Sequence, residues 1–264
     1  MYHSITFMDG TDDGIKNTYT DFHLVPTTRP VFKMPEVVTH YIDVPGSDGF
    51  LDLTEILDGY PNYGAREDSI EFMVLNDYEE SGEDWVTRYH RIAKYFHGRP
   101  LKAILEDDPG YYYEGRFEVE WDSSKPPYSY VRLNYHVQPY KYELLQSSEE
   151  WEWNPFNFET GVIKEYYGFL IPANSTDGIG VGLIGSDRPC VPMFKTRTDI
   201  KFRVVFEGTE IPESEFMVYK NLGDNVAWLM CPDIVVKNGE YALTLKCTST
   251  EDQTVDINLQ GGIL

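Results

Sequence analysis

Long apolar runs are missing from this 264-residue chain, and so is a cleavable signal pattern at its start. No segment therefore reads as a membrane span, and the expectation is a soluble chain that folds in a cytoplasm without membrane insertion. Cysteine is scarce and odd in number: Cys190, Cys231 and Cys247, all late in the chain. They read as small buried hydrophobes in a reducing compartment and exclude a disulfide framework. Basic residues are outnumbered 22 to 44 by acidic ones, a formal −22, and the excess holds in both halves of the chain. No basic stripe exists for gripping phosphates, which argues against a nucleic-acid-binding protein.

The motifs of the common enzyme classes are also missing. There is no Walker loop, no H-E-x-x-H and no Cys/His set at zinc spacing. Gly180-Val181-Gly182-Leu183-Ile184-Gly185 fits G-x-G-x-x-G by letter, but a dinucleotide site needs a helix to follow. Here Ser186-Asp187-Arg188-Pro189-Cys190-Val191-Pro192 follows, so a glycine-rich loop or strand is expected. His90 and His97 are too far apart for the usual i, i+4 metal pair. Asp107 and Asp108 adjoin, so they cannot face each other across a glycosidic bond, and Pro109-Gly110 makes them a turn. Asp9, Thr11, Asp13 and Gly14 approximate the start of a calcium loop, but its twelfth position would be Thr20, which has no carboxylate. Asn174-Ser175-Thr176 matches a glycosylation acceptor and, without a secretory signal, reads as a loop. No G-x-S-x-G elbow surrounds Ser123 or Ser147. No catalytic, cofactor-binding or metal-ligating residue is assigned, and the chain does not read as an enzyme.

What is present is aromatic and alternating. Aromatics make up 15% of residues, with 20 tyrosines. One helix is expected from about Glu83 to Phe96. Trp85, Tyr89, Ile92, Ala93 and Phe96 form one apolar stripe at the 3.6 period. Ser81 with Asp84 reads as a capping box, and Gly98 and Pro100 mark the stop. Ser69–Leu75 reads as a strand. Phe117, Val119 and Trp121 alternate with Arg116, Glu118 and Glu120, and Val131, Leu133, Tyr135 and Val137 repeat the pattern after Lys125-Pro126-Pro127. One helix on an antiparallel sheet is an α+β unit. Ahead of it, Pro26, Pro30 and Pro35 keep residues 26–36 extended, as in an arm that wraps a surface or an adjacent subunit.

The charged and serine-rich stretch from Gln146 to Pro155 suggests a linker over 143–155. Trp151 and Trp153 within it read as packing residues, with carbohydrate stacking as the alternative. Residues 156–264 carry short strand signals at Tyr166–Ile171, Ile200–Phe206, Phe216–Tyr219, Ala227–Met230, Ile234–Val236, Tyr241–Lys246 and Thr254–Leu259, a β-sandwich pattern. The fold class expected is mainly β: an α+β domain over 1–142, the linker, and a sandwich over 156–264.

An ordered series of short motifs carries more. Pro45-Gly46-Ser47-Asp48-Gly49-Phe50-Leu51-Asp52-Leu53-Thr54-Glu55 is followed by a Tyr63-Gly64-Ala65-Arg66 turn, a strand, and a helix closing in His97-Gly98-Arg99. Asp107-Asp108-Pro109-Gly110-Tyr111-Tyr112 then leads to Gly115-Arg116-Phe117, and Asp21-Phe22-His23-Leu24-Val25-Pro26-Thr27-Thr28-Arg29-Pro30 lies upstream. In this order, over roughly residues 15 to 142, the chain resembles the distal tail proteins (Dit) of long-tailed bacteriophages, a siphovirus tail component. The resemblance implies a ring-forming N-terminal domain, typically hexameric, and a galectin-like C-terminal sandwich. It implies a virion structural protein at the tail tip, assembled in the host bacterial cytoplasm. Its partners would be the tail tube protein, the tail-associated hub protein and a baseplate or receptor-binding protein. DNA would pass through the ring without specific binding, which an acidic chain suits. The alternative reading is a saccharide-binding module for adsorption to a host surface.

Overall fold

The computed structural model describes residues 2–11, 14–46, 48–56, 59–75, 84–122, 129–149, 164–198 and 202–264. The chain is mainly β and divides into two compact units, Met1–Lys141 and Tyr142–Leu264. Among the described residues no helix is long and apolar enough to cross a membrane.

The first unit contains β1 (Ile5–Met8), β2 (Lys16–Asn17), β3 (Leu24–Pro26), β4 (Val37–Val38), β5 (Tyr41–Asp43), β6 (Phe50–Asp52), β7 (Asn62–Tyr63), β8 (Arg66–Val74), α1 (Trp85–Phe96), β9 (Pro100–Leu105), β10 (Tyr111–Asp122) and β11 (Ser129–Val137). One antiparallel sheet runs in the order β2-β1-β9-β10-β11-β8-β3. The expected alternation sets its register: Phe117 faces Tyr135, Val119 faces Leu133 and Trp121 faces Val131. Their side of the sheet meets α1. Phe96 and Phe117 both stack edge-on against Phe7, with ring centroids 4.8 and 5.0 Å away. Trp121 packs against Trp85 and Tyr89 at 5.2 Å from each. Ile92 and Phe96 are fully buried, so the 3.6-period stripe is the face that seals this core.

The helix begins slightly later than its sequence signal. Asp84 is itself the N-cap, its Oδ1 accepting from the Thr87 N–H at 2.8 Å, rather than the third residue of a box opened by Ser81. That bond draws the Asp84 carboxyl below its ordinary pKa. Ser81 and Glu83 lie outside the described residues. At the other end the His97 N–H closes on the Ala93 carbonyl, and Gly98 turns out of the helix at φ 74°, a left-handed geometry that glycine adopts without steric cost. Gly115, in mid-strand, has a different reason. A Cβ there would stand 2.2 Å from the His136 carbonyl oxygen and 2.5 Å from the Val137 Cα. Only glycine lets β10 approach β11 that closely.

The second unit opens with β12 (Tyr142–Glu143) and continues with β13 (Phe169–Ile171), β14 (Ser175–Ile184), β15 (Met193–Arg197), β16 (Phe202–Phe206), β17 (Thr209–Ile211), β18 (Met217–Gly223), β19 (Val226–Met230), β20 (Glu240–Cys247) and β21 (Gln253–Asn258). Two antiparallel sheets, β13-β21-β15-β19-β18 and β14-β20-β16-β17, share one core that includes Ile171, Leu183, Phe194, Val204, Leu245 and Ile257. This is a β-sandwich. Ile234–Val236 is not a strand as expected. It forms a single bridge, Val236 to Cys190.

The expected linker is partly a packed segment. Ser147 and Ser148 are buried, and the Ser147 hydroxyl accepts from the Leu259 N–H at 2.8 Å and donates to the Ile257 carbonyl at 3.2 Å. Nearby, the buried Lys164 ammonium lies 3.2 Å from Glu143 and donates to the Ser186 hydroxyl at 2.9 Å. Serine in this stretch satisfies backbone groups at the edge of a core, a role composition cannot distinguish from solvent exposure. Residues 150–155, including Trp151 and Trp153, lie outside the described residues.

Candidate assembly surfaces

The proline-punctuated segment is fixed to its own unit by contacts of Phe32 and Lys33. Phe32 points inward, its ring 4.3 Å from Tyr113 and 4.9 Å from Tyr135, while the Lys33 N–H donates to the Tyr135 hydroxyl at 2.9 Å. Arg66 anchors the same stretch from below. It is 2% exposed, donates from Nη1 to the Lys33 carbonyl at 3.2 Å and lies 5.3 Å from the centre of the Tyr113 ring. Val31 and Met34 are exposed, although the Met34 sulfur also accepts from Arg66 Nη1 at 3.7 Å.

Beyond Glu36 the chain runs out into two small ribbons, β4 with β7 and β5 with β6. The Asp52 carboxylate accepts from the Thr54 N–H, and the Thr54 hydroxyl accepts from the His40 N–H, closing the second ribbon at its base. This ribbon contains Phe50–Asp52 of the Pro45–Glu55 motif. Tyr41 and Phe50 pack on each other, ring centroids 4.4 Å apart, yet Tyr41, Ile42, Phe50 and Leu51 are each at least half exposed. Ile42 and Leu51 stand directly opposite one another. Val37, Val38, Val44 and Ile56 extend the exposed apolar surface. Exposed apolar side chains grouped in this way make the ribbons a candidate interaction surface.

A second surface lies on the side of the main sheet away from α1. Glu67 and Glu71 on β8, and Glu114, Glu118 and Glu120 on β10, share it with Arg116, Arg132 and His136. Arg132 lies 3.6 Å from Glu71 and 3.7 Å from Glu120, and His136 lies 2.7 Å from Glu67. Lys102 on β9 stands opposite Glu114 on the same face. Five carboxylates against Lys102 and two guanidinium groups leave the face acidic.

The residues weighed for chemistry do not converge. Asp107 takes His3 at 2.9 Å and Arg29 at 2.8 Å, whereas Asp108 takes Lys141 at 2.6 Å. Asp9 accepts from Thr11 and pairs with Arg99 at 2.6 Å, so its loop is tied by its own side chains; Asp13 lies outside the described residues. His97 accepts from the Val119 N–H, and His90 is exposed. Gly180 to Ile184 lie in β14 with no helix after them. The three cysteines are free, and burial pushes the Cys190 thiol up to about 11. One grouping was not visible in the sequence spacing: Glu215, Cys231 and Asp233 bring ligand atoms within 4.8 Å of one another, the thiol buried and both carboxylates exposed.

No protein-family model and no curated protein matches the chain. Among solved structures, the SPP1 Dit protein (gp 19.1), described as a paradigm of the hub adsorption apparatus in phages infecting Gram-positive bacteria, matches at a TM-score of 0.53 and 14% identity. The match covers 97% of this chain and 98% of that one. A chain of the phage p2 baseplate, in its activated conformation with Sr, aligns over 96% and 97% at 10% identity and a TM-score of 0.34. The chain shares the fold of the SPP1 Dit protein over nearly its whole length.

Proposed function

We propose that this chain is a structural hub protein of a bacteriophage tail tip, of the distal tail protein kind. In this reading, copies of the first unit close into a ring, six in number. The ring joins the tail tube to the tail-associated hub protein, and the sandwich docks baseplate or receptor-binding components. It is a non-enzymatic component of the virion tail, assembled in the host cytoplasm. Support comes from the end-to-end fold likeness to the SPP1 Dit protein and from the order of motifs in residues 15–142. The observation that carries the reading is the apolar ribbon around Ile42 and Leu51. A subunit that circulated alone would gain nothing by exposing it, whereas a neighbouring copy could bury it. The acidic face of the main sheet suits the wall of a conduit, because carboxylates repel the phosphates of passing DNA.

The double variant Ile42→Glu/Leu51→Glu tests this reading. Both side chains are half exposed, so the melting transition is expected to match the parent's. Light scattering is expected to find an oligomer for the parent and a monomer for the variant. A variant that assembles as the parent does contradicts the role given to the ribbon.

A further inference from the structure

Three side chains able to ligate a metal meet at the base of the β18–β19 hairpin. Met217 pairs with Met230, so Glu215 and Cys231, just outside the two strands, are brought together. Glu215 ends a one-turn 3-10 helix, Glu213–Glu215, closed by the Phe216 N–H on the Glu213 carbonyl at 3.2 Å. Cys231-Pro232-Asp233 forms a turn closed by the Ile234 N–H on the Cys231 carbonyl at 3.1 Å, and Pro232 presets its backbone. The two turns leave the Cys231 Sγ and an oxygen each of Glu215 and Asp233 within 4.8 Å of one another. The thiol is 1% exposed, whereas both carboxylates face solvent. A buried cysteine is ordinarily a small apolar filler. Cys247 has a local partner, its sulfur accepting from the Ser249 N–H at 3.4 Å. Among the described residues, the side chains of Glu215, Cys231 and Asp233 have no hydrogen bond and no ion pair. Two carboxylates thus crowd a buried thiol without a side-chain cation to offset their repulsion.

We propose that Glu215, Cys231 and Asp233 form a site for a zinc-class divalent cation. The mixed donor set points to that class. Magnesium and calcium take oxygen ligands, whereas zinc accepts both thiolate sulfur and carboxylate oxygen. In a tetrahedral zinc site such ligands stand about 3.6 Å apart, a spacing the exposed carboxylates reach by side-chain rotation. The Cys231 thiol gives up its proton to solvent as the sulfur–metal bond forms. Water completes the coordination on the exposed side. The cation ties the turn that enters β18 to the turn that leaves β19. That clasp holds the base of a hairpin whose outer strand is exposed along its whole length. The site is complete on a single copy, so it holds or fails independently of the hub reading.

The test uses cobalt as the probe, because cobalt occupies zinc sites and its bond to a thiolate gives a near-ultraviolet charge-transfer band. Titrated into the reduced full chain, cobalt is expected to raise this band to saturation at a single ion per chain. Added zinc is expected to abolish it. Cys231→Ser is expected to lose the band, while Cys190→Ser, away from the cluster, retains it. Glu215→Gln/Asp233→Asn alters only exposed groups and is expected to keep the fold. Its zinc binding is expected to weaken about tenfold or more, at least what the loss of an outer-shell partner costs. No band in the parent, or a band that persists in Cys231→Ser, overturns the proposal. Equal zinc binding by the parent and the carboxylate variant overturns it as well. So does calcium that displaces cobalt as readily as zinc does.

Discussion

Arg66, the first residue of β8, donates from Nε to the carbonyl oxygen of Pro139, 2.7 Å away and just past the end of β11. The same guanidinium reaches the Lys33 carbonyl. One buried cation thus ties the central strands to the segment that leads into the exposed ribbons. Burial lowers its pKa, but guanidinium remains charged at any working pH. Arg66→Met would leave two carbonyls without their donor and is expected to cost about 2–4 kcal/mol. Denaturant unfolding should show the loss, and hydrogen exchange should show residues 31–36 losing protection.

Gly115→Ala should destabilise for a reason that no lost contact would reveal. The new methyl group meets backbone on β11, which cannot yield as a flexible side chain does. Overpacking of this kind costs about 1–3 kcal/mol, read as a lower denaturation midpoint with an unchanged slope.

Asp107 provides a pH signature. The Arg29 guanidinium hydrogen-bonded to it holds its carboxyl below the usual carboxylate range, and His3 acts in the same direction. A folded-state pKa below the unfolded one stabilises above the unfolded value, and that stabilisation is lost as pH falls through the folded one. Asp107→Asn is therefore expected to melt earlier than the parent at neutral pH, by about 1 kcal/mol. The two melting curves should converge as the pH drops through the acid range. A difference that stays constant down to acid pH would contradict the assigned pairing.

Much of this architecture was legible in the sequence. The Trp85–Phe96 stripe and the alternation in β10 and β11 come from solvent on one side and core on the other, and that contrast writes itself into residue order. Gly180 and Gly182 carry no side chain to alternate, so the sequence of β14 does not distinguish a strand from a loop. β15 and β17 carry no clear strand signal. β15 has only alternate residues buried within a short polar run, and β17 is a three-residue edge. The two ribbons gave no strand signal because every residue of β4, β5 and β6 is exposed, so neither face differs from the other. The acidic face of the sheet followed from alternation. The hollow lined by Lys16 and Arg99 did not, because the two are far apart in sequence and only the fold brings them together.

The two units should also separate by role. The chain cut after Lys141 retains the whole core sealed by α1. It is expected to melt cooperatively and to assemble with the parent's symmetry, while residues 142–264 alone stay monomeric. If the first unit remains monomeric and the sandwich assembles, the roles are reversed.

The hub reading rests on a closed ring, and native mass spectrometry with negative-stain imaging of the full chain measures it directly, first alone and then with tail tube and hub proteins added. The expected result is a cyclic assembly with six-fold symmetry and a central channel. A monodisperse monomer that persists with both partners present would contradict the reading.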